Sequence, residues 1–139
     1  MALRAADVVA IAVGAASGWA VEELARKRFP NARADLGAAG LVTAAAVYPA
    51  TRRGRRLSLA AAREIGSVAA ATGVVMKARE RGGTPARALI AAGWAAHALF
   101  DARHDSGSGG GLPRWYPALC AGYDLAFAAA LLRPGPAGD

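Results

Sequence analysis

The feature that most constrains this chain is a series of apolar, alanine-rich stretches separated by clusters of arginine, glycine and proline. The stretches cover residues 7–24, 36–50, 57–78, 86–104 and 115–132. They lack the alternation of β-branched residues that is typical of strands, and alanine is the strongest helix former. The sequence therefore predicts an all-α fold in which residues 1–139 form one helical domain.

Composition indicates what kind of helical bundle to expect. Hydrophobic residues make up 55% of the chain but aromatic residues only 6%, so the apolar content is largely alanine. Alanine adds little area to a core in water, whereas in lipid small side chains let helix backbones approach closely. The mean hydropathy of +0.24 is modest because basic residues in the connecting segments lower it. We therefore expect a small membrane-embedded bundle of about four to five short helices, multi-pass in the cell membrane.

The length of the stretches leaves the number of spans open. Each charge-free core is shorter than the ~20 residues of a single span. Alanine-rich spans of about 15–18 residues insert when neighbours cover them and their charged ends reach the interface. The stretch 57–78 either crosses the bilayer or lies at its interface, which corresponds to five or four spans. The four-span arrangement favours a cytoplasmic N-terminus by the positive-inside rule.

Charged residues at the ends of the stretches are interpreted as ordinary helix ends. We expect Glu22 and Glu23 to be solvated and to pair with the basic residues 26–27. Because the first stretch runs on to these carboxylates, it is predicted to be a retained helix and not a signal peptide. Arg63 and Glu64 are expected to form an interfacial pair or to face a headgroup.

The net charge and the cysteine content limit the kinds of partner and of metal site that this chain can have. The net charge of +7 is compatible with nucleic acid or with an anionic membrane surface. The basic residues are scattered through loops and are not interleaved with exposed aromatics, so we expect the lipid bilayer and no nucleic acid as partner. The single cysteine, Cys120, excludes an intrachain disulfide and a cysteine-based zinc cluster, and a packing role is expected for it.

Ionisable residues within the last two stretches carry the functional prediction. His97, Asp101 and His104 occupy positions i, i+4 and i+7, so they share one face of a helix. Asp124 is a carboxylate inside the next apolar stretch, where ionisable groups normally face the bundle interior. The short glycine-rich loop between the stretches predicts an antiparallel hairpin that places His97 and Asp124 at similar depth. The sequence thus predicts a shared polar cluster between the last two helices.

Three interpretations of this cluster compete. Two imidazoles and two carboxylates suit zinc or iron, with His97, Asp101, His104 and Asp124 as the ligands. A metal enzyme of this kind acts on a lipid-soluble substrate, with His97 and Asp101 at the reaction centre and Asp124 as the base. A second interpretation is proton or small-solute transport, and a third is a structural clamp between two helices. The spacing of these residues is not diagnostic of any one of them.

A family resemblance concerns the last third of the chain. Its signature is Gly93-Trp94-x2-His97-x3-Asp101-x2-His104, followed by Pro113-x-Trp115-Tyr116-Pro117-x2-Cys120-x2-Tyr123-Asp124. This pattern resembles a family of small bacterial integral membrane proteins that is classed as a domain of unknown function. The resemblance implies a polytopic membrane protein and adds Tyr116 and Tyr123 to the candidate site residues, but it implies no activity.

One further class of protein fits the composition. A soluble, alanine-rich helical bundle that forms oligomers would bury its apolar faces between copies, with its basic loops free to touch nucleic acid. Association of copies is also compatible with the membrane interpretation, so a second copy of the chain and a lipid-soluble small molecule are both candidate partners.

Overall fold

The computed structural model describes residues 4–52, 58–104 and 111–135, and the regular structure within these ranges is helical. The helices are α1 (Ala5–Arg28), α2 (Arg33–Thr51), α3 (Leu59–Arg81), α4 (Gly83–Arg103) and α5 (Tyr116–Leu131), and a short 3-10 turn, Pro30–Ala32, precedes α2. Each apolar stretch of the sequence forms one of these helices. The predicted all-α bundle is confirmed.

The turn between α3 and α4 is set by two glycines. Gly82 and Gly83 have φ angles of 66° and 53°, in the left-handed region that disfavours residues with a Cβ. At the other end of α3 the Ser58 side chain accepts a hydrogen bond from the Ala61 N–H at 3.1 Å, which satisfies one of the free donors of the first turn. The polar and glycine residues between the apolar stretches therefore define where α3 begins and where the chain reverses.

Successive helices alternate in direction, so that α1 and α5 run parallel. We call the end of the bundle where α1, α3 and α5 begin the near end, and the opposite end the far end. At the near end, the last residues of α2 and α4 meet the start of α3, as the approach of His104 to Glu64 shows. At the far end, Arg33 at the start of α2 reaches the last carbonyls of α5. This topology places α4 and α5 side by side as an antiparallel hairpin.

The contact between α1 and α5 is made by backbone and not by large side chains. A Cβ added at Gly14 would lie 2.0 Å from the Leu119 carbonyl oxygen, and one added at Gly18 would lie 2.3 Å from that of Tyr123. A Cβ at Gly122 would lie 2.2 Å from the Ile11 carbonyl oxygen. The two helices therefore touch along glycines, the packing mode that is common between membrane helices.

An apolar core fills the space among α2, α3, α4 and α5, around Trp94. The indole N–H donates to the Gly37 carbonyl oxygen at 2.9 Å, and the ring centroid lies 4.8 Å from that of Phe127. Trp94 is 2% exposed. Trp94 therefore packs inside the bundle.

The surface of this bundle carries many large apolar side chains, and several ionisable side chains lie inside it. Within the described ranges, fifteen large hydrophobic side chains are exposed, whereas six ionisable side chains are buried. Two helices, Ala5–Arg28 and Leu59–Arg81, are long and apolar enough to cross a membrane, and only 22% of the apolar window of each is buried. The apolar residues of α1 and α3 thus point mostly outward.

Candidate functional site

The predicted polar cluster forms where α4 faces α5. His97 Nδ1 lies 2.8 Å from Asp124 Oδ2 and 3.4 Å from Asp101 Oδ2. One ligand atom from each of these three side chains can be chosen so that all lie within 4.8 Å of one another. All three residues are buried, with exposed fractions of 6%, 1% and 1% for His97, Asp101 and Asp124. We refer to these residues as the His97 cluster.

The sequence builds the His97 cluster from two simple spacings. His97 and Asp101 are four residues apart, so they lie on one face of α4 about one turn from each other. Asp124 meets them because α5 returns beside α4 from the near end, which brings residues at equal distances from the loop to the same depth. The hairpin and the pairing of depths follow the sequence-based prediction.

Several polar atoms in and beside the His97 cluster are not satisfied by the surrounding protein. Within the described residues, His97 Nε2, both Asp101 carboxylate oxygens and the Tyr48 hydroxyl are buried without a hydrogen-bond partner. The Tyr48 hydroxyl belongs to α2 and approaches the Asp101 carboxylate without forming a well-aligned bond. A buried polar group without a partner costs about 1–3 kcal/mol. The His97 cluster therefore keeps polar atoms whose hydrogen-bonding capacity the described residues do not fill.

His104 lies outside the His97 cluster. Its Nε2 atom is 3.6 Å from Glu64 Oε1, and its ring centroid is 4.0 Å from that of Tyr48. It therefore belongs to a second polar group at the near end, which is centred on Glu64. The structure therefore brings His97, Asp101 and Asp124 together, and it places the fourth predicted metal ligand, His104, apart from them toward the near end.

Glu64 is paired with an arginine from another helix. Its carboxylate accepts from Arg52 Nε at 2.7 Å and from Arg52 Nη2 at 2.5 Å, a bidentate pair, and Glu64 is 2% exposed. The hydrogen bonds that the Arg52 guanidinium donates to this carboxylate raise the pKa of the guanidinium above its usual range. The expected interfacial pair of Arg63 with Glu64 is wrong, because Arg52 at the end of α2 reaches the carboxylate while Arg63 points outward.

The two tyrosines of the signature occupy different surroundings. Tyr116 packs edge-on against Tyr48, with ring centroids 6.2 Å apart, and its hydroxyl lies beside the Cys120 thiol. Tyr123 stacks on Phe127 with a centroid distance of 5.9 Å and lines an apolar cavity of about 290 Å³ between α1 and α2. Tyr116 thus contacts a neighbour of the His97 cluster, whereas the Tyr123 ring serves the apolar packing.

A buried ion pair at the far end was missed by sequence reasoning. Glu22 is 0% exposed and pairs with Arg33, whose Nη2 atom lies 2.6 Å from Glu22 Oε1. The expectation that Glu22 is a solvated helix end is wrong, whereas Glu23 pairs with Arg26 and Lys27 as predicted. The sequence does contain a feature that indicates burial of Glu22. Glu22 continues the four-residue spacing of Gly14 and Gly18, on the face of α1 that packs against α5.

Comparisons with protein-family models, with curated proteins and with solved structures gave no match for this chain. The inference of function therefore starts from the geometry of the buried polar groups.

Proposed function

We propose that this protein is a multi-pass integral membrane protein whose His97 cluster binds one divalent transition-metal ion inside the helical bundle. The observation that carries the metal site is the convergence of one imidazole and two carboxylates, buried together with Asp101 oxygens that accept no well-aligned hydrogen bond from the described residues. The resemblance of the signature residues to a family of small bacterial membrane proteins agrees with this proposal and is part of it.

The membrane environment is supported by the apolar side chains that the bundle exposes and by the ionisable side chains that it buries. Val13 and Leu125 are exposed by 51% and 57% in the middle parts of α1 and α5. A hydrocarbon solvent removes the cost of exposing them, while buried charges are tolerated when they pair within the bundle. The lipid bilayer is accordingly the first partner in this proposal.

Site-specific labelling checks whether the bundle crosses the membrane. In a Cys120→Ser background, Arg114→Cys places a thiol at the near end and Thr84→Cys places one at the far end, both at exposed positions. Because α4 alone separates the two positions, an impermeant maleimide added to intact cells is expected to label one variant and not the other if α4 crosses the membrane. Labelling of both after lysis is the control. Recovery of the protein in the supernatant without detergent would contradict the proposal and favour the soluble oligomer.

The metal proposal follows from the chemistry of the donor set. An imidazole nitrogen with two carboxylate oxygens suits zinc or non-haem iron and leaves coordination positions for other ligands. The Tyr48 hydroxyl lies beside the Asp101 carboxylate and offers a further oxygen ligand for a metal ion. A positive ion at this point would compensate the two aspartates and supply the partners that the Asp101 oxygens lack.

Metal analysis of the detergent-purified protein tests the site. We expect near-stoichiometric zinc or iron in the wild type and a metal content lower by about ten-fold or more in His97→Ala and in Asp124→Asn. His104→Gln is the matched control, because it removes an imidazole from the same helix but outside the His97 cluster. A folded wild-type protein that binds neither metal, even after incubation with each, would identify the cluster as a clamp or a proton site. Equal losses in His104→Gln would extend the ligand set to the four predicted residues.

The surroundings of the His97 cluster differ between the two ends of the bundle. Polar and ionisable groups continue from Asp101 through Tyr48 and His104 to Glu64 at the near end. Toward the far end the cluster is followed by the apolar core around Trp94 and Phe127. Because polar groups continue toward the near end and apolar groups toward the far end, this arrangement favours a metal centre connected to the near end over transport through the whole bundle. If the protein is an enzyme, its substrate in this proposal is a lipid-soluble molecule.

A further inference from the structure

A groove between α3 and α4 lies beside the near end, apart from the His97 cluster. It encloses a cavity of about 760 Å³ with apolar walls and basic residues at one edge. The apolar part is formed by Leu59, Ala60, Ala96, Leu99 and Phe100, and the basic part by Arg63, Arg103 and His104. We call it the α3–α4 groove.

We propose that the α3–α4 groove binds one anionic phospholipid, with its phosphate between Arg63 and Arg103 and an acyl chain along the apolar wall. The inference rests on the proposed membrane location and does not involve the metal site.

The charges in the groove support an anionic ligand. Arg63 and Arg103 are both exposed, and neither makes an ion pair with the described part of the chain. The neighbouring carboxylate, Glu64, is turned inward to Arg52 and does not line the groove. Two guanidinium groups without a facing carboxylate match a phosphate, whose oxygens accept paired N–H bonds from arginine.

The position and walls of the groove support a lipid and not a soluble anion. Arg63 lies in the second turn of α3 and Arg103 is the last residue of α4, so both are at the depth where helix ends meet headgroups. Leu59 and Leu99, 69% and 51% exposed, extend the surface along the helices. Burial of such apolar area by an acyl chain adds binding free energy that a free phosphate ester does not obtain.

Native mass spectrometry of the detergent-solubilised protein with dioleoylphosphatidylglycerol and dioleoylphosphatidylcholine tests this assignment. We expect one phosphatidylglycerol to bind about ten-fold or more tighter than phosphatidylcholine. The double variant Arg63→Gln/Arg103→Gln is expected to lose this preference. The control Arg79→Gln/Arg81→Gln, which removes the same charge from the far end of α3, is expected to keep it.

Three outcomes would overturn the lipid site. These are equal binding of the two lipids by the wild type, loss of preference in the control variant as well, and displacement of the lipid by glycerol 3-phosphate alone. The last result would show that the groove recognises a phosphate ester without its chains. Failure of the membrane proposal is detected separately, because a protein that stays in the supernatant without detergent is identified before any lipid is added.

Discussion

Gly122→Ala is expected to destabilise the bundle by about 3 kcal/mol, near the upper end of what an overpacked position costs. The added Cβ would lie 2.2 Å from the Ile11 carbonyl oxygen and 2.9 Å from two further backbone atoms of Ile11. These contacts are with backbone, which cannot rotate away as a side chain can, so α1 and α5 have to separate. Thermal and denaturant unfolding of the purified protein in detergent, followed by circular dichroism, measures the effect.

Alanine at Gly66 or Gly73 is the matched control for this experiment. Both glycines lie within α3, and an added Cβ at either position meets no atom within 4 Å. Because alanine is a better helix former than glycine by about 1 kcal/mol, these variants are expected to be neutral or slightly stabilised. If Gly122→Ala were as stable as Gly66→Ala, close backbone packing of α1 on α5 would be incorrect.

Arg33→Met is expected to have an effect of similar or greater size, a loss of about 3–5 kcal/mol of stability, because it leaves the Glu22 carboxylate buried without its partner. Arg33 is 1% exposed and Glu22 is 0% exposed. The guanidinium also contacts the carbonyl oxygens of Ala130 and Leu131 at 3.4 and 3.5 Å, at the end of α5 where carbonyls lack partners within the helix. The same unfolding measurements apply.

Two further variants separate loss of the pair from a general effect of charge removal. The double variant Glu22→Leu/Arg33→Met removes both charges and is expected to recover much of the lost stability. Lys77→Met breaks the exposed pair with Glu80 and is expected to change stability by less than about 1 kcal/mol. A double variant no more stable than Arg33→Met would show that Arg33 acts mainly through the end of α5.

Local sequence was sufficient to predict the helices and the hairpin of α4 and α5. Their apolar stretches are bounded by glycine, proline and arginine, and a short loop leaves few ways to join two antiparallel helices. The convergence of His97, Asp101 and Asp124 followed, because it depends only on helical spacing and distance from one loop. His104 follows the last residue of α4 and lies seven residues, or about 10 Å along the axis, beyond His97, so it meets Glu64 at the start of α3 and not Asp124.

Ion pairs between residues that are far apart in the sequence could not be predicted in this way. Arg33 appears in a basic loop and Glu22 at a helix end, where pairing with the nearest opposite charge is the natural expectation. The spacing of Glu22 from Gly14 and Gly18 marks its face of α1, but its pairing with Arg33 depends on α2 crossing the end of the parallel pair α1 and α5, which no local spacing encodes. The same holds for Glu64, whose pairing with Arg52 is created by the approach of α2 to α3.

By itself the sequence determined the helical fold, the positions of the apolar stretches and the polar positions of the last hairpin, because these follow from composition and from the period of the helix. The tertiary structure decided which polar groups meet and which are left unsatisfied. It also decided that α1 and α5 touch through Gly14, Gly18 and Gly122. The physical reason is that contacts between helices depend on which faces the other helices leave available, a property of the whole bundle and not of any one segment.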